Sequence, residues 1–427
     1  MLQSMTLFDE VKSNGRHDNG PFGSRPVKIE DFPSSWKESR FGELVVSSRY
    51  GTSQASSEEG VPMLGMGNIG DLGLDLSELS YVDPEEIDLE KYRLEEGDLL
   101  FNRTNSPGLV GKTALFDLDF ECVCASYLVQ FKLDTNQIDP KYAHYFFQTA
   151  AAHRQLRALT TRGVSQANIN PSHLERDLRV VHPPLEKQNQ IIETIDSWDR
   201  AIEQVDALIE RKQERLHGLR QRLLTGEVRF PEFSEPWRET TLGEYFQYFS
   251  NRNGDEHDVP VLSCSKIHDI IPQSEKFEQR VASKDTSSYK VVERGNLVYD
   301  PMLLWDASIG FVDCVEQGVV SPAYYTFKFD EENGDRTFFR HLLATHWVKY
   351  QYKAISQGTN TRRRKAPRDA FLGIEVEMPS LREQQKIAEV MRAAEAEIDK
   401  LTQKRDALEQ QKKGLMQCLL TGVVRTI

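Results

Sequence analysis

One sequence plan is written twice in this chain. Toward the end of each copy, a shift of 196 residues carries Leu223-Leu224-Thr225-Gly226 onto Leu419-Leu420-Thr421-Gly422. The same shift carries Pro183-Pro184-Leu185-Glu186-Lys187-Gln188 onto Pro379-Ser380-Leu381-Arg382-Glu383-Gln384, and Phe131-Lys132 onto Phe327-Lys328. With small gaps, Trp36-Lys37-Glu38 returns as Trp237-Arg238-Glu239, and Gly97-Asp98-Leu99 as Gly295-Asn296-Leu297. A fixed internal period means one structural plan used again. The order is a tail, a globular unit, a long helix, a second globular unit and a second long helix. Matches are dense in the helices and sparse in the units, the pattern of a shared scaffold carrying two divergent parts.

The helices follow from periodicity. Ile191, Ile195, Trp198, Ile202, Val205, Ile209, Lys212, Leu216, Leu219 and Leu223 are spaced alternately by four and three residues, a heptad seam. The second copy gives Ile387, Met391, Ala394, Ile398, Leu401, Arg405, Leu408, Lys412, Leu415 and Leu419 in the same rhythm. Each seam covers about 33 residues, or roughly 50 Å at ~1.5 Å per residue. Gly226 and Gly422 stand where the helices should stop. Two apolar stripes in one chain are expected to bury each other, and antiparallel pairing would place the units at opposite ends. That register puts Lys412 beside Trp198, where a cation–π contact is expected. In the units, strands are predicted at 99–101, 127–133, 297–299 and 324–329, and amphipathic helices at 142–159 and 338–355.

Composition limits the function classes. No run of 18 apolar residues occurs in the 427, so no membrane-spanning helix is expected and a cytoplasmic protein is. Cys122-x-Cys124 has no partner pair at zinc spacing, and Cys264, Cys314 and Cys418 are isolated, so buried free thiols and no metal are expected. The net charge of −13 does not exclude nucleic acid, because attraction to phosphate depends on local patches. Basic residues gather at Arg154, Arg157 and Arg162, and again from Lys353 to Arg368.

Motifs for catalysis are missing. Gly111-Lys112-Thr113 has the end of a phosphate loop, but Ser106 stands where the first glycine belongs and a strand-like stretch follows. Ser321-Pro322-Ala323-Tyr324 lacks the second proline of an amino-methyltransferase motif. A polar, basic loop instead recurs at matching places. The first copy holds Arg162, Ser165, Gln166, Asn168 and Asn170, and the second Gln357, Thr359, Asn360, Arg362, Arg363, Arg364 and Lys365. Arg, Gln and Asn can pair two-pronged with base edges, while Lys, Ser and Thr hold phosphates. A second candidate stretch is Asn102, Arg103, Thr104 and Asn105, with Lys112 beyond it; Trp305 lies in its unlike counterpart.

The ordered set of repeated motifs, across residues 33–427, resembles the specificity subunits of type I restriction–modification systems. The resemblance implies an α+β chain with two similar target-recognition domains, at 33–184 and 230–380. It implies spacer helices at 185–229 and 381–427 forming an antiparallel coiled coil, with a flexible tail at 1–32. Each domain would read one half of a split site in double-stranded DNA, with no catalysis by this chain. Two methylation subunits binding S-adenosylmethionine, and ATP- and Mg-dependent restriction subunits, would be its partners. Alternative readings are a component of a methylation-only or other phage-defence system, and a structural coiled-coil adaptor.

Overall fold

The computed structural model describes residues 32–70, 73–106, 110–162, 167–254, 259–264, 270–276, 283, 285–358 and 364–423. The chain divides into two compact units. The first takes the chain up to Gln204 and again from Lys404; the second is Val205–Gln403. Each long helix therefore gives one half to each unit.

The first unit is built on a four-stranded antiparallel sheet in the order Val45–Tyr50, Leu128–Leu133, Leu99–Asn102, Thr113–Leu115. Leu99–Asn102 is buried at every position, as a central strand covered on both faces should be. The chain turns into it at Gly97, whose φ of +89° favours glycine. Phe41, Phe101, Phe131 and Phe147 meet edge to face beneath the sheet, with ring centroids 5.0 to 6.3 Å apart. The second unit repeats the plan with Phe246–Phe249, Tyr325–Phe329, Leu297–Tyr299 and Ile309–Phe311 in that order. Leu99 faces Phe131 across the ladder, and Leu297 faces Phe327, so the duplication keeps register as well as order. In both units the opening strand pairs with the strand before the long helix: Lys37 with His182, and Arg238 with Met378.

The helices predicted at 142–159 and 338–355 are each broken in two. The pieces are Pro140–Phe147 and Ala150–Leu159, then Arg336–Leu343 and His346–Ile355. The break falls at Thr149 and Thr345. Each threonine hydroxyl donates back to the helix before it, to the Phe146 or Leu342 carbonyl, and accepts from the Ala152 or Val348 N–H of the helix after it. This capping arrangement ends one helix and starts the next.

The long helices are Leu185–Leu223 and Leu381–Leu420, 39 and 40 residues. Gly226 and Gly422 follow them with φ near +70°. In the first unit Ile191, Ile192 and Ile195 share a core with Met416, Leu419 and Leu420. In the second, Leu216 and Leu223 share one with Ile387, Ala388 and Met391. Lys212 reaches Glu397 at 2.7 Å, Arg220 reaches Glu395 at 2.9 Å and, just past the first helix, Arg229 clasps Glu383 at 2.8 Å, so the two helices run antiparallel here. Of the seam, Ile202, Val205 and Ile209 are also buried, while Trp198, Leu219, Ile398, Leu401, Leu408 and Leu415 are half-buried.

Lys412 does not sit on the Trp198 ring. Its ammonium is bonded to the carboxylate of the next residue, Asp199, which offers a buried cation a full charge in place of a ring quadrupole. The repeated glutamine of the helix entrance also finds a role. Gln188 accepts from the Asp139 N–H at 2.8 Å and donates to the Pro183 carbonyl at 2.8 Å. Gln384 does the same with Asp335 and Pro379, both at 3.0 Å. Each glutamine is a buried tie between long helix and globular unit.

Candidate nucleic-acid interface

In the first unit the two candidate stretches meet. Thr161–Arg162, Ala167–Asn168 and Thr104–Asn105 form a small three-stranded sheet, with Asn168 opposite Thr104. Arg103 is the centre of this surface. Its Nε donates to the Ser126 carbonyl and one Nη to Asn168 Oδ1, both at 3.2 Å. Its guanidinium lies 5.0 Å over the ring of Tyr50. Tyr50 and Tyr127 are 49% and 45% exposed, enough ring face for stacking. Neither tyrosine was singled out from sequence. Tyr127 falls opposite Ala323 under the 196-residue shift, so the repeat gave no signal there.

Other candidates have structural duties. Asn102 is 0% exposed, so it presents nothing to DNA; it points inward from a fully buried strand, and both ends of its amide lack a hydrogen-bond partner. Asn170 caps the helix Pro171–Asp177 by accepting from the Ser172 N–H at 2.9 Å. Asn105 accepts from the Ser106 N–H at 2.7 Å, and Lys112 is half-buried. Asn168 spends its oxygen on Arg103 and on Thr104 at 3.0 Å, so two-pronged pairing with an adenine would require releasing them. Ser165 and Gln166, and the side chain of Arg162, lie outside the described residues.

In the second unit Gln357 and Lys365 close the base of the matching loop through two backbone hydrogen bonds of 3.0 and 2.8 Å. Ala366 donates to the Pro301 carbonyl at 2.9 Å, tying this loop to the stretch that corresponds to 102–105. Thr359, Asn360, Arg362 and Arg363 lie outside the described residues. Arg364 is half-buried and Lys365 exposed. Trp305 is half-buried, its indole N–H donating to the Met302 carbonyl at 3.0 Å, beside the exposed Met302 and Leu303. Arg368 stacks 4.5 Å from the centre of the Tyr248 ring. Both units thus set a guanidinium against a tyrosine, but from different elements.

Among the described residues, no cluster of three or more His, Cys, Asp or Glu could hold a metal ion. Thr113 opens a strand rather than a helix, so the phosphate-loop lookalike has no helix N-terminus behind it. His144 and His341 are held near pKa 4 and 3 chiefly by burial, and stay neutral. Burial pushes the Cys122 and Cys124 thiols up to about 11 and 12. Cys314 departs from expectation and is exposed, on the turn after Ile309–Phe311. Among the described residues, no helix is long and apolar enough to cross a membrane.

Comparison with known proteins fits this geometry. A family model for the type I restriction modification DNA specificity domain matches residues 33–211. The putative type I restriction enzyme MjaX specificity subunit of Methanocaldococcus jannaschii is 25% identical over 94% of this chain and 96% of its own length. The EcoKI specificity subunit of Escherichia coli is 22% identical over 52% of this chain and 48% of its own. Among solved structures, a chain from work on assembly and conformational transition of the type I system superposes with a TM-score of 0.60. It is 15% identical, over 93% of this chain and all of that one. The type I S subunit of M. genitalium gives 0.51 at 16% identity, over 92% and 98%. The duplicated α+β frame with unlike polar tips is the fold these solved chains share. Along most of its length this chain is similar to the specificity subunits of type I restriction–modification systems, and residues 33–211 match their DNA specificity domain.

Proposed function

We propose that each unit reads one half of a bipartite DNA site and that the paired helices set the gap between halves. What carries this reading is the combination of a conserved frame and unlike tips. Sheet order and register repeat, while Arg103, Thr104 and Asn105 give way to Pro301, Met302 and Leu303. A shared frame with a shared function would repeat its tips; two frames reading different bases would not. Helices of 39 and 40 residues measure about 60 Å at ~1.5 Å per residue, comparable with one to two duplex turns of ~34 Å.

The chain itself performs no catalysis in this reading. Two methylation subunits would supply S-adenosylmethionine chemistry on an adenine flipped from the duplex, and restriction subunits would supply ATP- and Mg-dependent cleavage, all in the cytoplasm. The test is to map methylated adenines in the host with and without this gene. A bipartite adenine motif should vanish on deletion; an unchanged methylation map would contradict the reading.

A further inference from the structure

The second unit contains a groove of about 970 Å³ that the DNA-reading surface does not use. Its walls come from the end of the first long helix, the strand pair Arg238–Thr241 and Glu375–Met378, and the joint between Arg336–Leu343 and His346–Ile355. Leu224, Leu342 and Val376 make it partly apolar. Three lining side chains carry a buried nitrogen with no hydrogen-bond partner: Arg220 Nε, Trp237 Nε1 and His341 Nε2. His341 is 2% exposed, and the Glu395 carboxylate, which a terminal nitrogen of Arg220 already holds at 2.9 Å, lies 3.5 Å from its Nε2. Buried polar groups are almost always satisfied, so several orphans in one groove point to something that completes them. Lys349 stands beside them, half-buried and without an ion pair among the described residues.

The first unit shows the same place completed from within. Under the 196-residue shift, Met416 replaces Arg220 and is buried in the core. Tyr145 replaces His341, and its hydroxyl donates to Asp196 at 2.9 Å. The orphans therefore belong to the second copy and are not a property of the shared frame.

We propose that this groove receives a carboxylate side chain from a partner protein, on a segment that flanks the acid with Lys or Arg. Two unpartnered N–H donors, from Arg220 and Trp237, and the Lys349 ammonium form a floor for an oxyanion. Exposed Glu239, Glu375 and Glu377 line the mouth; they repel a polyanion such as DNA and suit basic flanking residues. The proposal rests on the reading that methylation subunits dock on this chain, and adds that the second unit holds an anchor the first does not.

The test uses the full chain with its methylation subunit. Arg220→Met copies the first unit's residue and keeps a good helix former; Trp237→Phe removes one N–H. Each should weaken assembly about tenfold while the melting midpoint moves by no more than a few degrees, since Arg220→Met also loses only a partly exposed ion pair with Glu395. Carbodiimide coupling of the wild-type complex should join Lys349 to an Asp or Glu of the methylation subunit, identified by mass spectrometry. Normal assembly of both variants, or R220M losing DNA affinity while assembling normally, would overturn this proposal alone. A wild-type chain that binds no methylation subunit would remove it together with the functional reading.

Discussion

Replacing Arg103 with alanine tests the reading surface of the first unit. Arg103 makes two hydrogen bonds within the protein, both 3.2 Å long, at a half-buried site, and one ring contact at 5.0 Å. Long bonds at a partly solvated position contribute under ~1 kcal/mol, so the melting midpoint should move by no more than ~4 °C. The guanidinium has further N–H groups in its fork. If these meet a base edge, their loss costs ~1–3 kcal/mol, or roughly 5- to 150-fold in affinity for the cognate duplex. If they meet a phosphate, binding weakens on every sequence and the slope of log K against log salt falls by about 0.9. Fluorescence anisotropy on cognate and scrambled duplexes, across a salt series, separates the cases. Unchanged cognate affinity together with an unchanged slope would refute the placement of Arg103 at the interface.

Three more outcomes are expected. Gln188→Leu should leave the Asp139 N–H and Pro183 carbonyl unpaired, costing ~1–3 kcal/mol and lowering the melting midpoint by several degrees in calorimetry. Tyr50→Ala should weaken cognate binding by ~1–3 kcal/mol if a base stacks on the ring, read in the same anisotropy assay. Stability should fall with acid between about pH 6.5 and 4. His144 and His341 stay neutral in the fold, the first near pKa 4, while the unfolded chain takes up their protons near pH 6.5. His144 accepts from Gln148 Nε2 at 2.9 Å and donates to the Thr113 hydroxyl at 3.1 Å, so His144→Gln should flatten that acid limb in pH-dependent denaturation.

Periodicity and duplication made the frame legible. The long helices, their glycine stops, the central strands at 99–102 and 297–299 and the antiparallel pairing could be read because each is a repeated pattern of burial. The helix breaks at Thr149 and Thr345 were missed because a hydroxyl bonded to both sides leaves no gap in the apolar pattern. Lys412 was assigned the right neighbourhood and the wrong partner, since register resolves position to about a residue and Asp199 is adjacent to Trp198. The tips were least legible. Asn102 ends a strand buried throughout and Arg103 follows just past it, half-buried, a distinction that residue type alone does not give. Tyr50 comes to Arg103 only through the fold.

Shortening both long helices tests whether they set the distance between the two half-sites. Deleting 202–208 together with 403–409 removes one heptad from each helix and keeps the seam in phase. Each helix loses ~10 Å at ~1.5 Å per residue, equal to about three base pairs at ~3.4 Å. Mapping methylated adenines in a host that carries this variant should show both half-sites unchanged and the gap about three base pairs shorter. The original gap, methylated as before, would contradict the account.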